Sequence, residues 1–130
     1  MKLSTRSRYG LRVCFLLGVA DCTVSLTKLS EQSELSLKYL EQLMIKLRKS
    51  GIVESSRGMS GGYCLSRPAS EITVGDILDA MDDNFEYDCN TTCPDSYCPN
   101  KRIFKKLSDS IHDVLQRTSL QDMIDDYKCV

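Results

Sequence analysis

Apolar residues recur along the chain at intervals that change from helical to strand-like and back. Between residues 6 and 20, Tyr9, Val13, Leu16, Leu17 and Ala20 fall on one face of a helix. Asp21-Cys22-Thr23 ends that helix, and Ser25 or Thr27 can cap a second one carrying Leu26 and Leu29. Ser33-Glu34-Leu35-Ser36 reads as a turn followed by another cap. The strongest periodicity comes next. Leu40, Leu43, Met44 and Leu47 form an i, i+3, i+4, i+7 stripe that predicts a helix from Leu37 to Lys49, stopped by Gly51.

From Ile52 to Leu65 the pattern becomes two short β-capable runs around a tip, Arg57-Gly58-Met59-Ser60-Gly61-Gly62-Tyr63, which predicts a hairpin with an irregular turn. Pro68 closes this segment, and Val74, Ile77, Leu78 and Met81 predict a short helix over Ile72–Met81. Residues 82–98 are polar, acidic and irregular. Pro99 suits the first position of a helix whose broad apolar stripe is Ile103, Phe104, Leu107, Ile111, Val114 and Leu115. Ser119 with Asp122 has the spacing of a capping box for a last helix through Met123 and Ile124. The expected fold is mainly α with a small β-hairpin wing: a winged helix-turn-helix plus a long C-terminal helix. It divides into a winged-helix head over 1–82, a cysteine-bearing loop over 83–98, and a segment of the long helix and a C-terminal helix over 99–130.

Composition adds a polarity. The net charge is only -1, but residues 1–67 hold 11 Lys/Arg against 5 Asp/Glu, while residues 68–130 hold 6 against 13. A basic half is suited to a polyanion. With no run of apolar residues long enough to span a bilayer and no signal-peptide core at the N-terminus, a cytoplasmic location without membrane attachment is expected. The lone His, the absence of a phosphate-binding glycine loop and the lack of a nucleophile–base pair argue against an enzyme.

Helix, helix, turn, helix, hairpin is the order of a winged helix-turn-helix. If the Leu40/Leu43/Met44/Leu47 stripe faces the core, the opposite face and first turn of that helix present Ser36, Lys38, Tyr39, Gln42 and Lys46 outward. These side chains donate to phosphates and base edges, and Gln42 can bond adenine bidentately. In the hairpin tip, Arg57, Ser60 and Gly61 are the candidate contacts, with Arg57 suited to a narrow minor groove.

Seven cysteines, an odd number, do not make a disulfide framework for a reducing compartment. Three of them cluster as Cys89-x3-Cys93-x4-Cys98 in the acidic segment just before Pro99. Thiolates at this spacing can converge on Zn, Cu(I) or an iron–sulfur cluster; they can also serve as a redox thiol switch or be inert exposed cysteines. Cys14 and Cys64 lie among apolar or strand residues and are expected to be small core side chains. Cys22 fits either role.

Three motifs together carry a resemblance: Leu3-Ser4-Thr5-Arg6-Ser7-Arg8-Tyr9-Gly10-Leu11-Arg12, Ser36-Leu37-Lys38-Tyr39-Leu40-Glu41-Gln42-Leu43, and the hairpin tip from Arg57 to Tyr63. Joined by Val74-Gly75-Asp76-Ile77, they make the chain similar, over nearly its whole length, to the bacterial iron–sulfur cluster regulators, the IscR/NsrR-like winged-helix transcription factors. The resemblance implies a homodimer paired through the long helix after Pro99. It implies a palindromic double-stranded DNA operator, read in adjacent major grooves with the wings in the minor groove. It also implies that Cys89, Cys93 and Cys98 hold an iron–sulfur cluster, 2Fe-2S or 4Fe-4S. Two positions depart from the family pattern. Lys101 stands where the biogenesis branch has a His ligand, and Arg6-Ser7-Arg8 stands where the nitric-oxide branch has a carboxylate. Cys129, His112, a hydroxyl, a carboxylate, water or a small thiol are left as fourth-ligand candidates. The function expected is a regulator sensing iron–sulfur status, oxidants or nitric oxide. The alternative is a cluster-free winged-helix regulator controlled by thiol oxidation or a protein partner.

Overall fold

The computed structural model describes residues 3–59, 61–83 and 98–128. Helix α1 spans Thr5–Ala20, with the Ser4 hydroxyl accepting from the Ser7 N–H at 3.1 Å. Helix α2 spans Leu26–Ser33; of the two candidate caps it is Ser25 whose side chain accepts, from Lys28 N–H. Glu34 takes the left-handed conformation, φ 60°, and turns the chain into α3, Leu37–Lys49, capped by Ser36. Each serine satisfies an amide that the helix itself leaves without a partner.

Strands β1 (Val53–Ser56) and β2 (Gly62–Leu65) pair antiparallel, with Val53 opposite Leu65 and Ser56 opposite Gly62. The sequence predicts a helix over Ile72–Met81, and the observed helix begins two residues later, after a separate short turn. A 3-10 turn covers Ala69–Glu71, and helix α4 covers Val74–Ala80. Thr73 sets this start, because its side chain and that of Asp76 form a reciprocal capping box. Ile72, fully buried, stays extended and accepts from Leu120 N–H at 2.7 Å. Helix α5 covers Pro99–Arg117 and α6 covers Leu120–Lys128, the latter opened by reciprocal Ser119–Asp122 bonds of 2.9 and 3.0 Å.

The core gathers around α3. Leu40, Leu43, Met44 and Leu47 are all 1% exposed or less, and they meet Val13, Leu17, Leu29, Ile52 and Met81. Helix α6 packs into this same core: Leu120 and Ile124 are buried, and a Cβ on Gly18 would lie 2.7 Å from Ile124 Cδ1. Helix α5 buries none of its residues, and Ile103, Leu107 and Val114 are exposed on it. Among the described residues, no helix is long and apolar enough to cross a membrane.

Candidate nucleic-acid interface

Because the apolar stripe of α3 is fully used in the core, the rest of the helix is fixed outward. Ser36, Lys38 and Gln42 are exposed. The Ser36 oxygen caps the helix by accepting from Tyr39 N–H at 3.2 Å, which leaves its O–H available to a phosphate at the helix N-terminus. Tyr39 is partly buried, its ring edge-on to Tyr9 with centroids 5.9 Å apart. Packing therefore fixes the ring.

Lys46 lies on the outward side of α3, part-exposed and already engaged. Its Nζ donates to Asp82 Oδ2 at 2.7 Å, so this α3 cation is held against the residues that follow α4. The bond and charge of Lys46 hold the Asp82 carboxyl below the usual carboxylate range. Its neighbour Asp83 accepts from Ser4 N–H at 3.2 Å, from the Ser4 hydroxyl at 2.8 Å and from the buried Ser7 hydroxyl. Partial burial pushes the Asp83 carboxyl up, but the hydrogen bonds from Ser7 and Ser4, helped by the charge of Arg6, outweigh it and hold it low. Two consecutive aspartates thus fasten the start of the cysteine segment to α3 and to the first turn of α1. The motif reading did not find them, because 36 and 79 residues separate the partners.

In the hairpin, Arg57 is exposed, as is Met59, which the sequence reading passed over although an apolar residue among glycines marks it. Gly58 adopts φ +108°, and its carbonyl accepts from Gly61 N–H at 2.9 Å, which folds the tip. Ser60 lies outside the described residues. The root of the hairpin is tied down by Val24 and Tyr63, which exchange both backbone bonds at 2.8 Å. A Cβ on Gly62 would collide with the Val24 carbonyl, so only glycine permits that approach.

Of the three clustered cysteines, Cys89 and Cys93 lie outside the described residues. Cys98 is half-buried immediately before α5, and its side chain does not cap the helix. Cys129 also lies outside them. His112 is exposed on α5, about 21 Å along the helix from Cys98. Cys14 is a core residue, as expected, and burial pushes its thiol up to about 12.

The arrangement of helices and hairpin has close counterparts. The solved structure of T. potens IscR superimposes with a TM-score of 0.81 at 36% identity, covering 98% of this chain and 88% of that one. That of CymR (YrzC), the global cysteine regulator of B. subtilis, gives 0.82 at 33% identity, covering 96% and 97%. The HTH-type transcriptional regulator IscR of Cereibacter sphaeroides is 35% identical over 95% of this chain and 87% of its own length. The Rrf2 profile, that of an iron-dependent transcriptional regulator, matches residues 3–126. Helix-turn-helix, wing and these relatives converge on one assignment: the chain belongs to the Rrf2 family and is a DNA-binding transcriptional regulator.

Proposed function

We propose that the protein is a homodimeric regulator that reads a palindromic operator and senses iron–sulfur status, oxidants or nitric oxide through a cluster held by Cys89, Cys93 and Cys98. The observation that carries this reading is the pair of fastenings at the mouth of the cysteine segment. Asp82 holds Lys46 of α3, and Asp83 holds Ser4 and Ser7 of α1. A ligand held by the cysteines would act next to bonds that reach the reading helix and the first helix.

The donor set fits a soft metal centre, since three thiolates in one acidic segment suit iron or zinc better than hard cations. A bound cluster would supply iron–thiolate bonds that oxidants and nitric oxide break. In this reading Lys38, Gln42, Arg57, Ser60 and Gly61 meet DNA directly, Ser36 meets phosphate, Tyr39 supports the helix, and Lys46 reaches phosphate when Asp82 releases it. The likeness to the IscR regulators supports the iron–sulfur side, and the likeness to CymR favours a second reading, thiol control without a cluster.

Dimerisation through α5 follows from its chemistry. A helix about 28 Å long with no fully buried residue needs a cover for the exposed Ile103, Leu107 and Val114. Its first half carries Lys101, Arg102, Lys105 and Lys106, and its second half carries Asp109 and Asp113, the latter paired with Arg117 at 3.1 Å. An antiparallel crossing of two copies sets cations opposite carboxylates.

The test is the visible absorption of anaerobically purified protein, with iron and acid-labile sulfide assays. Brown protein with roughly equal iron and sulfide, and loss of colour in Cys93→Ala, is expected. A colourless protein that resists reconstitution would overturn the cluster and leave DNA binding standing.

A further inference from the structure

Helix α3 carries two large apolar side chains outside its core stripe, Leu37 and Ile45, which are 49% and 48% exposed. Their positions differ. At about 100° per residue, Leu37 lies on the flank of the stripe, whereas Ile45 lies roughly 150° from the middle of it, at the centre of the polar face. Gln42 stands three residues before Ile45, Lys38 seven before, and Arg48 and Lys49 three and four after; all four are exposed. Residues three or four apart on a helix are surface neighbours, with about 5–6 Å between Cβ atoms. Ile45 is therefore an apolar branched side chain set among an amide and several cations.

Those surroundings choose the occupant. A cationic rim suits a polyanion, whereas an apolar protein surface would have to bury these charges without partners. On the base edges of the major groove the apolar group is the C5-methyl of thymine. Lys38, Glu41, Gln42 and Ile45, all exposed, also have the i, i+3, i+4, i+7 spacing with which homeodomain helices read that groove.

We infer that Ile45 is a specificity-determining residue that packs against the C5-methyl of a thymine one or two base pairs from the adenine bonded by Gln42. The inference rests on α3 being the helix that reads DNA. Along the helix axis Gln42 and Ile45 are about 4.5 Å apart, little more than the roughly 3.4 Å step between base pairs. Gln42 and Ile45 thus meet adjacent parts of one A·T-containing stretch, one by hydrogen bonds and the other by excluding water. Burying one methyl group changes affinity about fourfold. Because no charge is involved, that factor does not depend on salt, unlike the contribution of the lysines.

The experiment uses the full chain and a DNA duplex selected from a random-sequence pool. Each thymine is replaced singly by deoxyuridine, which removes the C5-methyl and keeps every base-pair hydrogen bond. Affinities are measured at two salt concentrations for the unsubstituted protein, Ile45→Ala, Ile45→Val and Gln42→Ala. For the unsubstituted protein, one thymine is expected whose methyl is worth about fourfold at both salts. That effect should vanish in Ile45→Ala and persist in part in Ile45→Val. Alanine favours a helix more than isoleucine does, so Ile45→Ala keeps the fold, which circular dichroism verifies. The inference is overturned if no deoxyuridine weakens binding, or if Ile45→Ala stays as sensitive as the unsubstituted protein. Gln42→Ala then separates the causes. Lost discrimination in that variant leaves α3 as the reading helix and removes only the role of Ile45. Unchanged discrimination removes the reading of α3 as well.

Discussion

The Lys46 ammonium and the Asp82 carboxylate meet at 2.7 Å, joining α3 to the residue from which the cysteine segment departs. An exposed pair of this kind contributes little to stability, because water screens it and two long side chains must be held in place. Its consequence is for DNA, because phosphate must compete with the aspartate for this lysine. Asp82→Asn is expected to strengthen binding to unrelated DNA and to steepen its salt dependence. Lys46→Ala is expected to weaken binding almost uniformly across sequences and to reduce the salt slope by about 1. Fluorescence anisotropy titrations at several salt concentrations measure both.

Gln42 is the exposed α3 side chain best suited to a base edge. Gln42→Ala is expected to cost about 1–3 kcal/mol of discrimination between cognate and altered sites while leaving nonspecific affinity nearly intact. Competition with duplexes changed one base pair at a time reads this directly. Equal discrimination in the variant would move the reading surface away from this face.

Gly62 packs so tightly on the Val24 carbonyl that an added methyl must displace backbone. Gly62→Ala is expected to lower stability by about 1–3 kcal/mol, within the range for overpacking. Thermal unfolding measures it, and the variant should also lose wing contacts with DNA.

Asp82 and Asp83 are both held below the usual carboxylate range. A depressed folded value means the contribution is complete above the unfolded value, about 3.9, and is lost as pH falls through the folded value. Asp83→Asn should therefore flatten the acid limb of the stability profile. Cys14 has the opposite sign: with its thiol raised to about 12 from 9.0, its contribution is present below 9.0 and is lost as pH rises through 12. Urea unfolding across pH, with Cys14→Ala as the comparison, tests the alkaline limb.

The apolar face of α5 predicts its own experiment. Leu107→Glu places a charge amid Ile103, Leu107 and Val114 and is expected to shift the protein from dimer to monomer in sedimentation equilibrium. A dimer that survives the substitution would place the interface elsewhere.

Much of this fold is legible in the sequence because its signals are local. The Leu40/Leu43/Met44/Leu47 stripe, the serine caps and the glycine-rich tip each act within a few residues, and they give α3 and the hairpin nearly to the residue. Ile72 was misplaced because it looks helical by composition, yet it is held extended by a bond to the start of α6. Periodicity places Lys46 on the accessible face of α3, where it lies. It does not report which distant carboxylate will arrive there. The Asp83 bonds to Ser4 and Ser7 were hidden for the same reason: they exist only once the chain is folded. Cys89, Cys93 and Ser60 lie outside the described residues, so their roles rest on sequence chemistry and resemblance.

The most direct measurement is the affinity of one selected palindromic duplex for cluster-loaded and for cluster-free protein, prepared without oxygen. The account predicts a difference of about 5- to 150-fold, as expected for two coupled sites, and its disappearance in Cys93→Ala. Equal affinities from a protein confirmed to gain and lose iron and sulfide would contradict it.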